Sequence, residues 1–242
     1  MKRILFLLYG MILGLSFCSC VAKEVPQETV QPAGKWTAEE AIETNTPLYS
    51  RNLSKEIVDD LEAAKETYEG RYYLINFIVD SITNESYIRG MGECPSDTVK
   101  HSVYYTAFLP AEEREGIAPG DIIQVVGKLS AIEKHFNGAT FVEFTDAHCT
   151  AKTFQVSGEV LMINHNGADE VFCSLGDSGL LSPKGEEIAI FLPEGFNLAV
   201  GDTITCTGKV HGSIGMVFLS PSSSAELLWM EIPESLEATV GP

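Results

Sequence analysis

Seven side chains of this 242-residue chain have the types and spacing to do binding chemistry: Tyr87, Arg89, Tyr104, Tyr105, Lys134, His135 and Phe136. Aromatic rings interleaved with Arg and Lys can stack on bases or sugars. The same alternation arises when every second ring fills a core and the others lie on ordinary surface. Sequence alone leaves both readings open.

Catalytic and metal chemistry find less support. The five histidines, His101, His135, His148, His165 and His211, show neither H-x-x-x-H nor H-E-x-x-H spacing. His148 beside Cys149, with Asp146 nearby, is a lone corner and reads as a surface histidine. Gly212-Ser213-Ile214-Gly215 is only a fragment of a G-x-S-x-G elbow, and no G-x-x-x-x-G-K-[ST] loop occurs. Asp121 and Asp202 follow glycines in turns, where Asp bonds its own backbone. Asp59, Asp60, Glu62 and Glu66 read as solvated surface. The expectation is a non-enzyme with no catalytic residue, metal or cofactor; a hydrolase is the least favoured class.

Cys94, Cys149, Cys173 and Cys206 form an even set with no C-x-x-C spacing. Outside the cytoplasm such a set invites disulfides, with Cys94–Cys149 and Cys173–Cys206 as possible pairs. The alternative is buried thiols, because Cys206 alternates with Thr203, Thr205 and Thr207 and so points inward with Ile204.

The elements that must position these residues are announced by a duplication. Phe108-Leu109-Pro110 recurs as Phe191-Leu192-Pro193, and Gly120-Asp121 recurs at nearly the same offset as Gly201-Asp202. Such an offset is a whole small domain, too long for a solenoid unit. Thr37-Ala38-Glu39-Glu40 is a capping box opening a short helix. Ser54 caps a second helix whose apolar face is Ile57, Leu61, Ala64 and Tyr68, stopped by Gly70. Strands are expected at 72–82, 86–91, 103–109, 122–131 and 140–145, then at 154–163, 170–175, 187–192, 203–210 and 216–219. Five short strands per copy suit a small barrel, with Gly127 and Gly208 at its bends. The apolar 227–233 stretch after a Ser-rich turn packs on the second barrel or meets a partner.

The order of a helix, Thr67-Tyr68-Glu69-Gly70-Arg71, a strand, a Leu-Pro loop, Gly-Asp and a Gly-Lys strand resembles the tRNA-anticodon-binding-like OB-fold family of bacterial envelope and secreted proteins. Where that family has a Tyr-Lys-Gly-Lys-like step, this chain has Tyr68-Glu69-Gly70-Arg71. The resemblance covers residues 37–149 best and treats 153–224 as a further copy. Gly158 stands where the fold often has a first-strand glycine bulge, and Phe77 is its counterpart. The resemblance implies ligand binding on strands two and three and in the loops joining strands one–two and four–five, where the seven residues fall. It implies no reaction.

The N-terminus reads as an export signal. Lys2 and Arg3 precede an apolar run over 4–17, too short for a span of ~20 residues, and Ser19-Cys20 ends it. Cys20 after Ser19 resembles a bacterial lipobox, in which the Cys is lipidated; a plain secretory signal cut nearby is the alternative. Two or more acyl chains hold a protein on a membrane where one does not. The formal charge of −18 moves to near −20 once Lys2 and Arg3 are removed, with 14 basic against 34 acidic residues. That balance disfavours phosphate backbones and a polybasic membrane patch. Residues 71–151 carry net −5 and 152–242 net −9, so a polyanion would meet the first copy.

The expected protein is mainly β: two tandem five-stranded OB-like barrels preceded by short N-terminal helices. A lipoprotein signal peptide occupies 1–19, a flexible tether 20–36, helices plus the first barrel 37–151, and the second barrel with a C-terminal tail 152–242. Its role is non-enzymatic binding or scaffolding in the cell envelope, periplasmic or surface-facing, with the membrane held through lipid and a protein or glycan as partner. The runner-up is a protein binding single-stranded or tRNA-like nucleic acid, which the acidic charge and export oppose.

Overall fold

Thr37 begins the folded helices as its sequence promises. Its hydroxyl accepts the Glu40 N–H (3.2 Å) while the Glu40 carboxylate accepts the Trp36 N–H (3.1 Å), opening α1 (Ala38–Thr44). The computed structural model describes residues 31–83, 87–92, 102–164, 170–175, 179–183, 185–193, 197–212, 228–230 and 233–239. Cys20, Cys94, His101, His165, the signal segment and the expected strand at 216–219 lie outside them. The expected tether already touches the body at its far end. Lys35 exchanges two backbone bonds with Tyr72, and the Gln31 amide bonds both backbone groups of Tyr49.

The second expected helix is two. α2 (Ser50–Asp59) starts before Ser54, and α3 (Leu61–Tyr68) follows. Asp60 divides them: its backbone is extended and its carboxylate caps the Ala63 N–H at 3.1 Å. Ser54 is therefore no cap. It lies buried with its hydroxyl 2.7 Å from the Tyr105 hydroxyl. Ile57, Ala64 and Tyr68 do face the core, and Gly70 adopts φ +87° beyond the helix.

β1 (Leu48–Tyr49) lies parallel to β2 (Tyr72–Ile82). Then β2, β3 (Tyr87–Met91), β4 (Val103–Phe108), β6 (Thr140–Ala151) and β5 (Ile122–Lys134) are neighbours in that order, and β2 pairs with β5 to close the ring. This is a closed five-stranded barrel of the OB type. Its interior is filled by Ile75, Phe77, Tyr105, Leu129, Ile132 and Phe144, all fully buried. Gly127 sits at a register shift between β5 and β6, the bend its position predicts. Across from Phe77, Gly90 has no room for a side chain, since a Cβ would strike the Phe77 ring.

The second sheet holds β7 (Phe154–Asn164), β8 (Glu170–Ser174), β9 (Glu187–Phe191), β10 (Thr203–Gly208), β11 (Val210–Gly212), β12 (Leu228–Met230) and β13 (Ser235–Thr239). Their order is β11-β12-β9-β8-β7-β10-β13, an open sheet. Lys209 alone separates β10 from β11. Leu228 and Met230 of the apolar C-terminal stretch are fully buried in the second core.

Three details correct the sequence reading. The first-strand bulge is not at Gly158. Register slips at Asp80 in β2 and at Leu161 in β7, matching places in the two copies. Gly158 is a close-approach site instead, where a Cβ would meet the Ser174 carbonyl. A Cys173–Cys206 bridge is not formed, and both are buried thiols. They stand on β8 and β10 with β7 between, Cys173 opposite Val160 and Cys206 opposite Val156 of that strand. Burial is the main cause that pushes their pKa values up, to about 12 and about 11. Cys149 is likewise free.

The two cores meet. Ile78 and Ile122, a facing pair at one end of the first barrel, belong to the second core. Around them the Asn76 amide donates to Leu180 O (2.9 Å), Arg51 N–H to Leu181 O (3.2 Å) and Gly212 N–H to Gly120 O (2.9 Å).

Candidate ligand-binding face

The alternation of β4 decides which rings can meet a ligand. Val103, Tyr105 and Ala107 are buried, so Tyr104, Thr106 and Phe108 take the other face of the strand. Tyr105 is thus corrected from ligand candidate to core. It stacks on Phe77 (6.1 Å between centroids) and its hydroxyl donates to Ser50 O at 2.6 Å.

On the outer face the rings pair across strands. Tyr87 of β3 lies 5.6 Å from Phe108, and Tyr104 stacks on Phe141 of β6 at 5.4 Å and 22°. His135, where β5 ends, comes within 4.4 Å of Phe141. Arg89 of β3 holds its guanidinium over Tyr104, 5.3 Å from the ring centroid. The bulge at Asp80 brings that carboxylate beside it: Nη2 and Nε of Arg89 both donate to Asp80 Oδ2, at 2.6 and 2.7 Å. Arg89 is thereby fixed before any ligand arrives.

Between these groups lies a groove of about 200 Å³, walled by Tyr87, Arg89, His135 and Phe141 together with Thr106, Ala131, Glu133 and Glu143. Tyr104 supports it from beneath Phe141 and Arg89. Lys134 is exposed but lines no part of it. Phe136 stands fully exposed on the short turn that Gly138, at φ +90°, closes between β5 and β6.

Phe108, Phe141, Asp80, Glu133 and Glu143 are not among the ligand candidates that the sequence offers. Parity holds the clue. Val142 and Phe144 face inward, so Phe141 and Glu143 face outward, as Tyr104 and Phe108 do against Val103 and Ala107.

Elsewhere, several titratable groups tie neighbouring elements together. Glu113 clamps the β6 backbone, bonding His148 Nδ1 (2.8 Å) and Cys149 N–H (2.6 Å), and its hydrogen bond is the main cause that raises the His148 pKa. Asp146 accepts instead from the Tyr72 hydroxyl at 2.6 Å. Among the described residues no group of three or more His, Cys, Asp or Glu could hold a metal ion.

No protein-family profile matches the chain, and no curated protein does. Among solved structures it is similar to a deletion mutant of the single-stranded DNA binding protein from Thermus aquaticus, with TM-score 0.29 and 11% identity over 71% of this chain and 94% of that one. A likeness that slight carries no argument about function.

Proposed function

We propose that the protein is a non-enzymatic binding module of the bacterial envelope, holding a protein or glycan partner on the outer face of its first barrel. One observation carries the reading: Tyr87, Tyr104, Phe108, His135 and Phe141 gather on one outward surface around an Arg that is already fixed. Aromatic rings kept out of a core lose the gain of burial, so a face lined with them gains by being covered. Cys20 carries the lipid in this account. Among the described residues no helix is long and apolar enough to cross a membrane.

The second half is read as the same barrel with two strands broken. β10 and β11 are its fourth strand, interrupted at Lys209, and β12 and β13 its fifth, interrupted between Met230 and Ser235. Four pairings support this: β9 runs parallel to β12 as β4 does to β6, β11 and β10 pair in turn with β12 and β13, and β10 returns to β7 as β5 does to β2.

The test immobilises the detergent-solubilised full-length chain and challenges it with protease-released and glycosidase-released fragments of its native envelope. A Tyr104→Ala/Phe141→Ala variant with unchanged melting should lose what the parent retains. Equal retention by the two overturns the reading. Micromolar, salt-sensitive binding of a labelled single-stranded DNA, without fragment retention, replaces it by a nucleic-acid role.

A further inference from the structure

We propose that the groove of the first barrel takes a neutral, hydroxyl-rich sugar ring, one residue of an uncharged glycan; this rests on the outer face being the binding surface. The walls exclude the other chemistries one by one. An anion would meet Glu133 and Glu143, and the one guanidinium present is engaged by Asp80 through two bonds to a single oxygen. A bare cation would meet the two carboxylates but leave the Tyr87 and Phe141 rings of the groove uncovered. A purely apolar side chain would leave Glu133, Glu143 and the Thr106 hydroxyl desolvated without partners.

A pyranose avoids all three conflicts. Its C–H groups can pack on the part of Phe141 that lines the groove, a ring in contact with both Tyr104 and His135. Its hydroxyls can donate to the two carboxylates and accept from Arg89, bonds strengthened by the charge on the protein partner. A groove of about 200 Å³ has the scale of one such ring with its hydroxyls. The preset Arg89–Asp80 pair means that little has to be ordered on binding.

Calorimetric titration of the full-length chain in detergent tests this with neutral tetrasaccharides (β-1,4-glucosyl, its N-acetylated form, α-1,4-glucosyl, α-mannosyl) and with the glucuronate analogue. At least one neutral member should bind, and its glucuronate analogue should bind about tenfold more weakly or worse. Phe141→Ala should weaken binding about tenfold or more, from the loss of an apolar wall of the groove. Glu143→Gln, which keeps the shape, should weaken it severalfold. No neutral binding at millimolar concentration overturns the proposal, as does the glucuronate analogue binding as well as its neutral parent, or no effect of Phe141→Ala. If the sugars fail while Tyr104→Ala/Phe141→Ala still abolishes retention of envelope fragments, the ligand class is wrong and the face stands. If the variant changes neither, the face falls too.

Discussion

The loop before the fourth strand is built twice from the same bonds, once in each half. Gly120 and Gly201 take φ +96° and +93°. Val79 N–H donates to Asp121 O and Val160 N–H to Asp202 O, both at 2.8 Å, while Gly120 and Gly201 donate back to Val79 O and Val160 O. The Asp121 and Asp202 carboxylates each accept the N–H of an upstream alanine, Ala118 (2.9 Å) and Ala199 (2.8 Å). The outward rows of the two sheets differ by contrast. Across the first run Arg89, Thr106, Glu143 and Ala131; across the second, in matching register, run Phe172, Ala189, Trp229 and His211. The first row is polar and borders the groove. The second is largely apolar, with Ala189 fully buried and His211 turned to Asp121 of the first half at 3.0 Å. Backbone geometry tolerates no drift in the turn, whereas an outward row constrains nothing but its own neighbours.

The halves also differ in independence, because the second core is completed by Ile78 and Ile122 of the first. Ile122→Ala should therefore cost about 2–5 kcal/mol and lower the melting of the whole body in one transition. Two separated transitions in urea, with only the first shifted, would show that the halves stand apart. Next come two closely packed glycines, one in each half. Gly158→Ala meets the Ser174 carbonyl and Gly90→Ala both the Phe77 ring and the Ile78 carbonyl. Each should destabilise by roughly 1–3 kcal/mol, the first more than the second because the Ser174 carbonyl lies closer to the added Cβ (2.2 Å) than the Ile78 carbonyl does (2.7 Å). The reverse order in a denaturant titration would place the tighter constraint in the first half. Smaller again, Gly120→Ala and Gly201→Ala should each lose about 1–2 kcal/mol, since both put a Cβ at positive φ. A gap much wider than the error between them would break the equivalence of the turns.

The least effect is one of pH. Glu186 is 7% exposed, and both its oxygens accept N–H groups, from Leu180 (2.7 Å) and Leu181 (2.9 Å). Burial is the largest cause acting on its carboxyl and raises it above the ordinary value, with Arg51 and the N–H donors pulling it partly back. The folded state then holds that proton more tightly than the unfolded chain does. Its contribution is present below the unfolded pKa and declines as pH rises through the folded one. Denaturation between pH 4 and 7 should show that decline in the parent and its absence in Glu186→Gln. A parent that gains stability relative to the variant as pH rises contradicts the sign.

Strands are readable because period-2 alternation and Gly-Asp punctuation survive without tertiary context, and the duplication locates most of them twice. What escapes needs three dimensions. The break at Asp60 turns on one carboxylate choosing a local N–H over helix continuation. The bulges at Asp80 and Leu161 follow from barrel closure, and neither residue type announces one. The Tyr104-Tyr105 doublet offers two ligand rings in sequence, although adjacent strand residues must face opposite ways. Tyr87, Arg89, Tyr104 and His135 do come together at the groove; Lys134 and Phe136 stand apart from it. Phe141 and Asp80, which complete the face, lie close to His135 and Tyr87 in sequence, yet no motif marks them; the outward parity of β6 and the bulge in β2 place them there.

Backbone amide chemical shifts of the full-length chain, followed through a titration with the tightest-binding neutral tetrasaccharide, test the central claim most directly. The account predicts perturbations concentrated on Tyr87–Met91, Val103–Phe108 and the 133–143 segment, with the 170–191 strands of the second half unmoved. Shifts centred on the second half, or spread evenly over both, would contradict it.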